Sequence, residues 1–253
     1  MNNFRAKVKG KENGTRKRAL FFTIPLVMIV IIGCAFLVYT GIYYHADESA
    51  DQALRSDEKV HVEKTDTGWL FDGPSESNAF VFYPGAKVEE TAYAPLLHRI
   101  AEQDSDVFLV KMPFRIAFFG VDLADDLMKK YNYSRWYIGG HSLGGVAACS
   151  YAEKHPEQIG GVILLASYPV KSIKNVPALV SIYGSEDGVL NMKKMAETEK
   201  YAPDNFKSFV IEGGNHAQFG DYGEQKGDGK PRISADEQQE QTVEMVRKVF
   251  TGE

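Results

Sequence analysis

The chain has 253 residues, a formal net charge of -5 and 44% hydrophobic content. Such a composition excludes collagen-like and intrinsically disordered chains, and the length suffices for a substantial core. Its two cysteines, Cys34 and Cys149, lie one in an apolar amino-terminal run and one beyond it. The part after that run therefore has no internal disulfide and must be held by its core in any redox compartment.

In chain order, residues 1–18 are basic: Arg5, Lys7, Lys9, Lys11, Arg16, Lys17 and Arg18 stand against Glu12 alone. Ala19 to Tyr44 then runs for 26 residues without a charge, and Leu20 to Tyr39 alone gives about 30 Å of helix, enough to cross a hydrocarbon layer. Asp47, Glu48 and Asp51 follow. The asymmetry predicts a cytoplasmic tail over 1–18, an uncleaved transmembrane signal-anchor over 19–44 and an extracytoplasmic remainder at the cell membrane. Two alternatives stand beside it. Ile31-Ile32-Gly33-Cys34 resembles a lipobox that would leave a lipoprotein anchored at Cys34, although Ala35 to Tyr44 stays apolar; a cleaved, secreted form is the other. Beyond residue 44, 22 basic and 33 acidic residues give a formal charge of -11, which argues against nucleic acid as a partner.

Residues 45–58 are charged and read as a linker, with His61 just beyond it expected in solvent. Residues 59–253 read as one domain, and Lys59 to Phe71 has room for one or two edge strands. From there strands and helices alternate. Strands are expected at 79–83, 107–110, 136–138, 161–166, 178–183 and 206–211, and helices at 93–102, 122–130, 143–154, 191–201 and 235–250. Short strands separated by helices imply an α/β fold: a mainly parallel sheet covered by helices on both faces. Ligands in open sheets of this kind meet the loops at the carboxyl ends of the strands.

The most informative such loop lies in Trp136 to Pro156. An apolar strand ends in Gly139-Gly140-His141-Ser142-Leu143-Gly144-Gly145 and passes at once into an Ala-rich helix. Gly140 and Gly144 flank Ser142 where side chains would crowd a sharp turn, so Ser142 is a candidate nucleophile. The backbone N–H of Leu143 then lies near a helix N-terminus, suited to negative charge developing on an attacked carbonyl oxygen. Two later strand ends carry Gly184-Ser185-Glu186-Asp187-Gly188 and Glu212-Gly213-Gly214-Asn215-His216. They supply candidate acids, Glu186 or Asp187, and a candidate base, His216. His141 is a poor base because the turn aims neighbouring side chains apart, and His45, His98 and His155 have no comparable setting.

Taken together, FVFYPGAKV at Phe80 to Val88, KMPF at Lys111 to Phe114, GGHSLGG at Gly139 to Gly145, SIYGSEDG at Ser181 to Gly188 and GGNHAQFGDYG at Gly213 to Gly223 resemble the α/β-hydrolase family. The likeness is to its compact, dienelactone-hydrolase-like type, and especially to bacterial membrane-anchored members. The resemblance spans about Phe71 to Phe250, and the order Ser, Asp, His is the one that fold uses. It implies Ser142 as nucleophile, Asp187 as acid and His216 as base, acting on carboxylic esters through an acyl-enzyme, with no cofactor. Thioester or amide substrates use the same groups, and a non-catalytic binding domain on this fold is the alternative of a different class.

A second oxyanion donor is expected from the backbone N–H of Ala86, with Lys87 as the neighbouring choice; the fuller HGGG string of some relatives is absent here. Only residues 167–176 separate two strands where larger relatives carry a lid, so an open site is expected, bordered by 111–119, 168–170 and 217–222. Lys111, Phe114 and Tyr168 are the candidate pocket residues for a small acyl-containing substrate. Lys111 either attracts an acidic substrate or pairs with a domain acid. Residues 223–232, polar and rich in glycine, read as a mobile loop. No metal site is expected, because His, Cys and acid residues do not recur at a structural-zinc spacing; no dinucleotide fingerprint is present.

Overall fold

The computed structural model describes residues 2–74, 77–103 and 105–252, with side chains from residue 21 onward except that of Phe22. The basic side chains of residues 5–18 thus lie outside the described residues. The chain divides into two units, residues 1–42 and 43–253. The first is one helix, α1 (Asn2–Gly41). Its stretch Thr23–Gly41 has a mean hydropathy of 2.4 and is long and apolar enough to cross a membrane. Side chains such as Ile24, Ile29, Ile32 and Val38 are more than half exposed, unlike those of a helix packed into a core.

The second unit is built on an eight-stranded sheet: β1 (His61–Thr65), β2 (Gly68–Asp72), β3 (Asn78–Tyr83), β4 (Asp106–Val110), β5 (Arg135–His141), β6 (Gly161–Leu165), β7 (Leu179–Gly184) and β8 (Lys207–Ile211). The spatial order is β1-β2-β4-β3-β5-β6-β7-β8. Strands β3 to β8 run parallel, and the hairpin of β1 and β2 adds antiparallel to β4. All parallel strands therefore end at one carboxyl edge.

The middle strands are apolar along most of their length, with polar residues mainly at their ends, because both faces are covered. Phe80 and Phe82 of β3 pack on one side with Tyr93, Leu96, Val246 and Phe250, from α3 (Ala94–Ala101), the turn before it and α7 (Ala235–Thr251). Val81 and Tyr83 pack on the other with Leu127, Ala147, Ala148 and Tyr151, from α4 (Leu123–Lys130) and α5 (Leu143–Lys154). The same alternation runs through β6, with Ile163 and Leu165 on the first face and Val162 and Leu164 on the second. A period of two thus sorts one apolar run into two cores. Helix α6 (Met192–Thr198) is capped by Asn191, whose side chain accepts from the N–H of Lys194. Helix α7 begins with a reciprocal Ser234–Glu237 capping box, satisfying N–H groups that no helical turn can reach.

The segment expected as a linker, 45–58, is instead folded into this unit. It contains α2 (Glu48–Ala53), with Ala50 buried. Tyr44 already bridges Val88, and the imidazole of His98 contacts the carbonyl of Ala53 at 2.8 Å and the carboxylate of Asp57 at 3.0 Å. Ala50 is buried and Ala46, Ala53 and Leu54 pack on the core beside it, a helical spacing carried mostly by alanines among charges, too short and too weakly apolar to stand out.

Candidate active site

Strand β5 ends at His141, and Ser142 turns the chain into α5 with φ 52° and ψ -120°. That conformation costs a non-glycine residue about 1–3 kcal/mol and persists only where its surroundings over-determine it. Here they do. The N–H of Ser142 donates to the carbonyl of Leu165 at 2.9 Å, and the hydroxyl of Ser167 donates to the carbonyl of Ser142 at 2.8 Å. Ser181 in turn donates to the carbonyl of Ser167 at 2.9 Å. A Cβ on Gly144 would lie 2.0 Å from the carbonyl oxygen of Tyr83, and one on Gly140 2.3 Å from the same atom. Both positions therefore demand glycine, as the motif suggested.

Across the carboxyl edge, the loops after β7 and β8 bring Asp187 and His216 together. Asp187 Oδ2 lies 2.9 Å from His216 Nδ1, with both side chains almost fully buried. The other carboxylate oxygen accepts the N–H groups of Val189 at 2.9 Å and Leu190 at 2.7 Å. Three donors fix the carboxylate, and a carboxylate oxygen accepts, so Nδ1 is the donor of the neutral ring and Nε2 its acceptor. His216 Nε2 is itself buried and has no hydrogen-bond partner among the described residues. Glu186, the neighbouring acid, is committed elsewhere: its Oε1 accepts from Arg232 at 2.7–2.9 Å and from Ser185 at 3.2 Å.

His141 lies beneath this pair, its ring centroid 4.5 Å from that of His216. Burial, and then the proximity of His216, push its pKa well below the ordinary value of 6.5, so it stays neutral. Its contacts form a consistent chain. The N–H of Gly85 donates to Tyr93 Oη at 3.1 Å. The Tyr93 hydroxyl donates to His141 Nδ1 at 2.8 Å, leaving His141 Nε2–H to donate to the carbonyl of His216 at 3.1 Å. The segment after β3 is thereby linked to the backbone of the histidine loop. Of the two N–H groups weighed as second oxyanion donor, that of Lys87 is spent on the carbonyl of Arg115 at 2.9 Å, whereas that of Ala86 has no hydrogen-bond partner among the described residues. Leu143 is the first residue of α5, where an N–H has no acceptor within the helix.

Sequence reasoning missed Asp228. The segment 223–232 is not a loose loop but a clamp. Asp228 Oδ1 accepts from Gly188 at 3.0 Å and from His216 at 3.2 Å, and its Oδ2 accepts from Ala217 at 2.9 Å. One carboxylate thus ties the acid loop to the histidine loop, and Arg232 N–H adds a bond to the carbonyl of Gly213 at 2.7 Å. An aspartate among glycines carries no periodic signal, so only the fold reveals it.

The candidate pocket residues differ in their surroundings. Lys111 Nζ pairs with Glu90 Oε1 at 3.2 Å, the ion-pair alternative of the two. Phe114 is half exposed with φ 55°, and its ring lies 5.8 Å from that of Phe119. Tyr168 is half-buried in the loop after β6. Elsewhere, Asp57, His98 and Glu102 bring three donor atoms within 4.8 Å of one another. Each already has a partner: His98 contacts Asp57 at 3.0 Å and Glu102 pairs with Lys59 at 3.1 Å.

These features define a class. A sequence model of the alpha/beta hydrolase family matches residues 79–240, most of the chain, and the chain belongs to that family. No curated protein matches it. Among solved structures it is similar to a dienelactone hydrolase from Anabaena variabilis, with a TM-score of 0.59 at 12% identity over 77% of this chain and 99% of that one. An esterase from Mycobacterium tuberculosis aligns with a TM-score of 0.56 at 13% identity, over 81% of this chain and 95% of its own. A carboxylesterase from Bacillus subtilis aligns at 0.52 and 10% identity, over 87% and 99%. At these identities the likeness is one of fold.

Proposed function

We propose that the chain is a serine hydrolase acting on carboxylic esters through an acyl-enzyme. The observation that carries this reading is the buried His216, bonded through Nδ1 to Asp187 with Nε2 unpartnered, on the sheet edge where Ser142 is held strained. In this reading Nε2 takes the Ser142 proton as Oγ attacks the ester carbonyl, and Asp187 stabilises the imidazolium that forms. The N–H groups of Leu143 and Ala86 receive the oxyanion. His216 then gives the proton to the leaving alkoxide, and water repeats the sequence to release the acid. The esterase names carried by structures of the same fold favour esters over thioesters and amides.

We assign α1 as an uncleaved signal-anchor with residues 1–18 cytoplasmic, the apolar run expected over 19–44 crossing the membrane up to Gly41, where the helix ends, and the hydrolase domain outside, on the charge asymmetry around that run. The full-length protein should be labelled at Ser142 by a fluorophosphonate and should hydrolyse short activated acyl esters. A folded sample that shows neither, with Ser142→Ala indistinguishable from it, would leave only a binding role for the domain.

A further inference from the structure

Among the described residues of the second unit, seven large hydrophobic side chains are exposed: Phe114, Phe118, Phe119, Val170, Val189, Met192 and Val210. Their placement is uneven. All but Val210 follow the carboxyl ends of β4, β6 and β7, the edge that carries Ser142, Asp187 and His216. Monomeric soluble surfaces spread such side chains singly, and a cluster around one rim marks a surface that meets an apolar partner.

The covalent chain says which partner lies there. Tyr43 is the first residue of this unit, and the apolar stretch ends at Gly41. Two residues span at most about 7 Å, a bound set by chain connectivity alone. Tyr43 and Tyr44 are fixed at the same edge. The guanidinium of Arg115 sits 3.4 Å from the centroid of the Tyr43 ring. Tyr44 N–H donates to the carbonyl of Lys87 at 2.8 Å, and Lys87 N–H to the carbonyl of Arg115 at 2.9 Å. The tether, the segment after β3 and the loop bearing Phe114, Phe118 and Phe119 are therefore one bonded assembly. Tyrosine and arginine are also side chains suited to the boundary between lipid and water.

We propose that this rim docks on the lipid bilayer, with its exposed side chains at the boundary between headgroups and acyl chains, so that the site takes its acyl ester from the membrane. The inference rests on the readings of α1 as an anchor and Ser142 as a nucleophile. The bilayer meets a tethered apolar rim at high local concentration, so each side chain needs to contribute little for the docked state to dominate.

The test uses the full-length chain with Cys34→Ser, Cys149 being buried, reconstituted in phosphatidylcholine–phosphatidylglycerol vesicles. Nitroxides are placed at Phe118→Cys, at Met192→Cys and, as a control, at Asp204→Cys, an exposed site just before β8 at the opposite edge. Power saturation with oxygen and a water-soluble nickel chelate should place the first two labels below the headgroups and the third in water. In the Phe118→Asp/Met192→Asp variant, the rate on a long-chain ester dissolved in the vesicle, divided by that on a short soluble ester, should fall tenfold or more. Flotation with vesicles reports the anchor, and fluorophosphonate labelling of Ser142 reports the nucleophile. A chain that floats and is labelled, yet reads aqueous at 118 and 192, overturns the docking alone, as would spin–spin broadening showing those positions buried between two copies. A chain that does not float overturns the anchor and the docking together.

Discussion

The serine and the histidine reach the same edge by different means. Ser142 is held mainly by backbone: glycines within two residues of it admit the carbonyl of Tyr83, and the carbonyl of Leu165 at the end of β6 accepts its N–H, with one side chain, the Ser167 hydroxyl, on its own carbonyl. His216 is held by side chains from far along the chain: Asp187, Asp228 and His141. The backbone device permits almost no substitution, whereas the side-chain device can be weakened one bond at a time. Changes at the elbow should therefore act all or nothing, and changes around the histidine should be graded.

The largest effect is expected at Ser142, the proposed nucleophile. Ser142→Ala should lower kcat on a short ester by about 10⁴-fold or more while leaving the thermal midpoint at or above that of the parent, because its hydroxyl makes no hydrogen bond among the described residues. Steady-state rates and a melting curve on the same sample check both parts.

Gly144→Ala should fail in the opposite way. Its Cβ would meet the carbonyl oxygens of Tyr83 at 2.0 Å and Pro84 at 2.5 Å, backbone atoms that cannot swing aside. Overpacking of this kind costs on the order of 3 kcal/mol, which in a domain of this size lowers Tm by roughly 6–12 °C. An unchanged midpoint would mean that the elbow is softer than its close contacts imply, and the contrast with the histidine loop would disappear.

Asp228→Asn tests the graded side. An amide keeps one accepting oxygen and turns an N–H₂ toward backbone N–H groups that now point at the carboxylate. A buried donor left without an acceptor costs about 1–3 kcal/mol, and the slackened histidine loop should lower kcat by roughly 10–100-fold with KM little changed. Equal losses in Asp228→Asn and Asp187→Asn would show that Asp228 is more than a positioning group.

How much of this was legible beforehand follows the same division. Strands such as β3 and β6 and helices such as α5 announce themselves through apolar runs and periodicity, and the expected helix over 143–154 matches α5 residue for residue. The elbow could be read because its constraints act between neighbours in sequence. Among the acids, the residues alone offered Glu186 and Asp187 side by side and only the family resemblance pointed to Asp187; the physical difference between them lies in distant contacts, with Arg232 occupying Glu186. Asp228 was invisible because its bonds join residues with no local pattern, 40 positions apart for Asp228 and Gly188; the segment around α2 offers only a short run of alanines at helical spacing, and its side-chain bonds reach as far as 172 positions, from Ser49 to Asp221. Stretches read as polar and mobile can be the ones most tightly tied.

The smallest effect concerns the pH dependence of stability and belongs to His141. Its folded pKa lies well below 6.5, the value near which it titrates when unfolded. Below that pH the unfolded chain binds a proton that the native chain refuses, so the stability contribution is complete above about pH 6.5 and is lost as pH falls. The slope approaches 1.4 kcal/mol per pH unit until His141 titrates in the native state. The groups facing it are Tyr93, which burial keeps protonated, and His216. Asp106 opposes the trend, since burial raises its carboxyl to about 6 and its protonated form favours the native state at lower pH. A comparison isolates the histidine. His141→Gln keeps Asp106 and removes the titrating ring, so urea unfolding of parent and variant between pH 7.5 and 5.5 should give stability curves that converge by about 1 kcal/mol as pH falls. Parallel curves would mean that His141 accepts its proton in the native fold, which would also break the chain from Gly85 through Tyr93 to the carbonyl of His216.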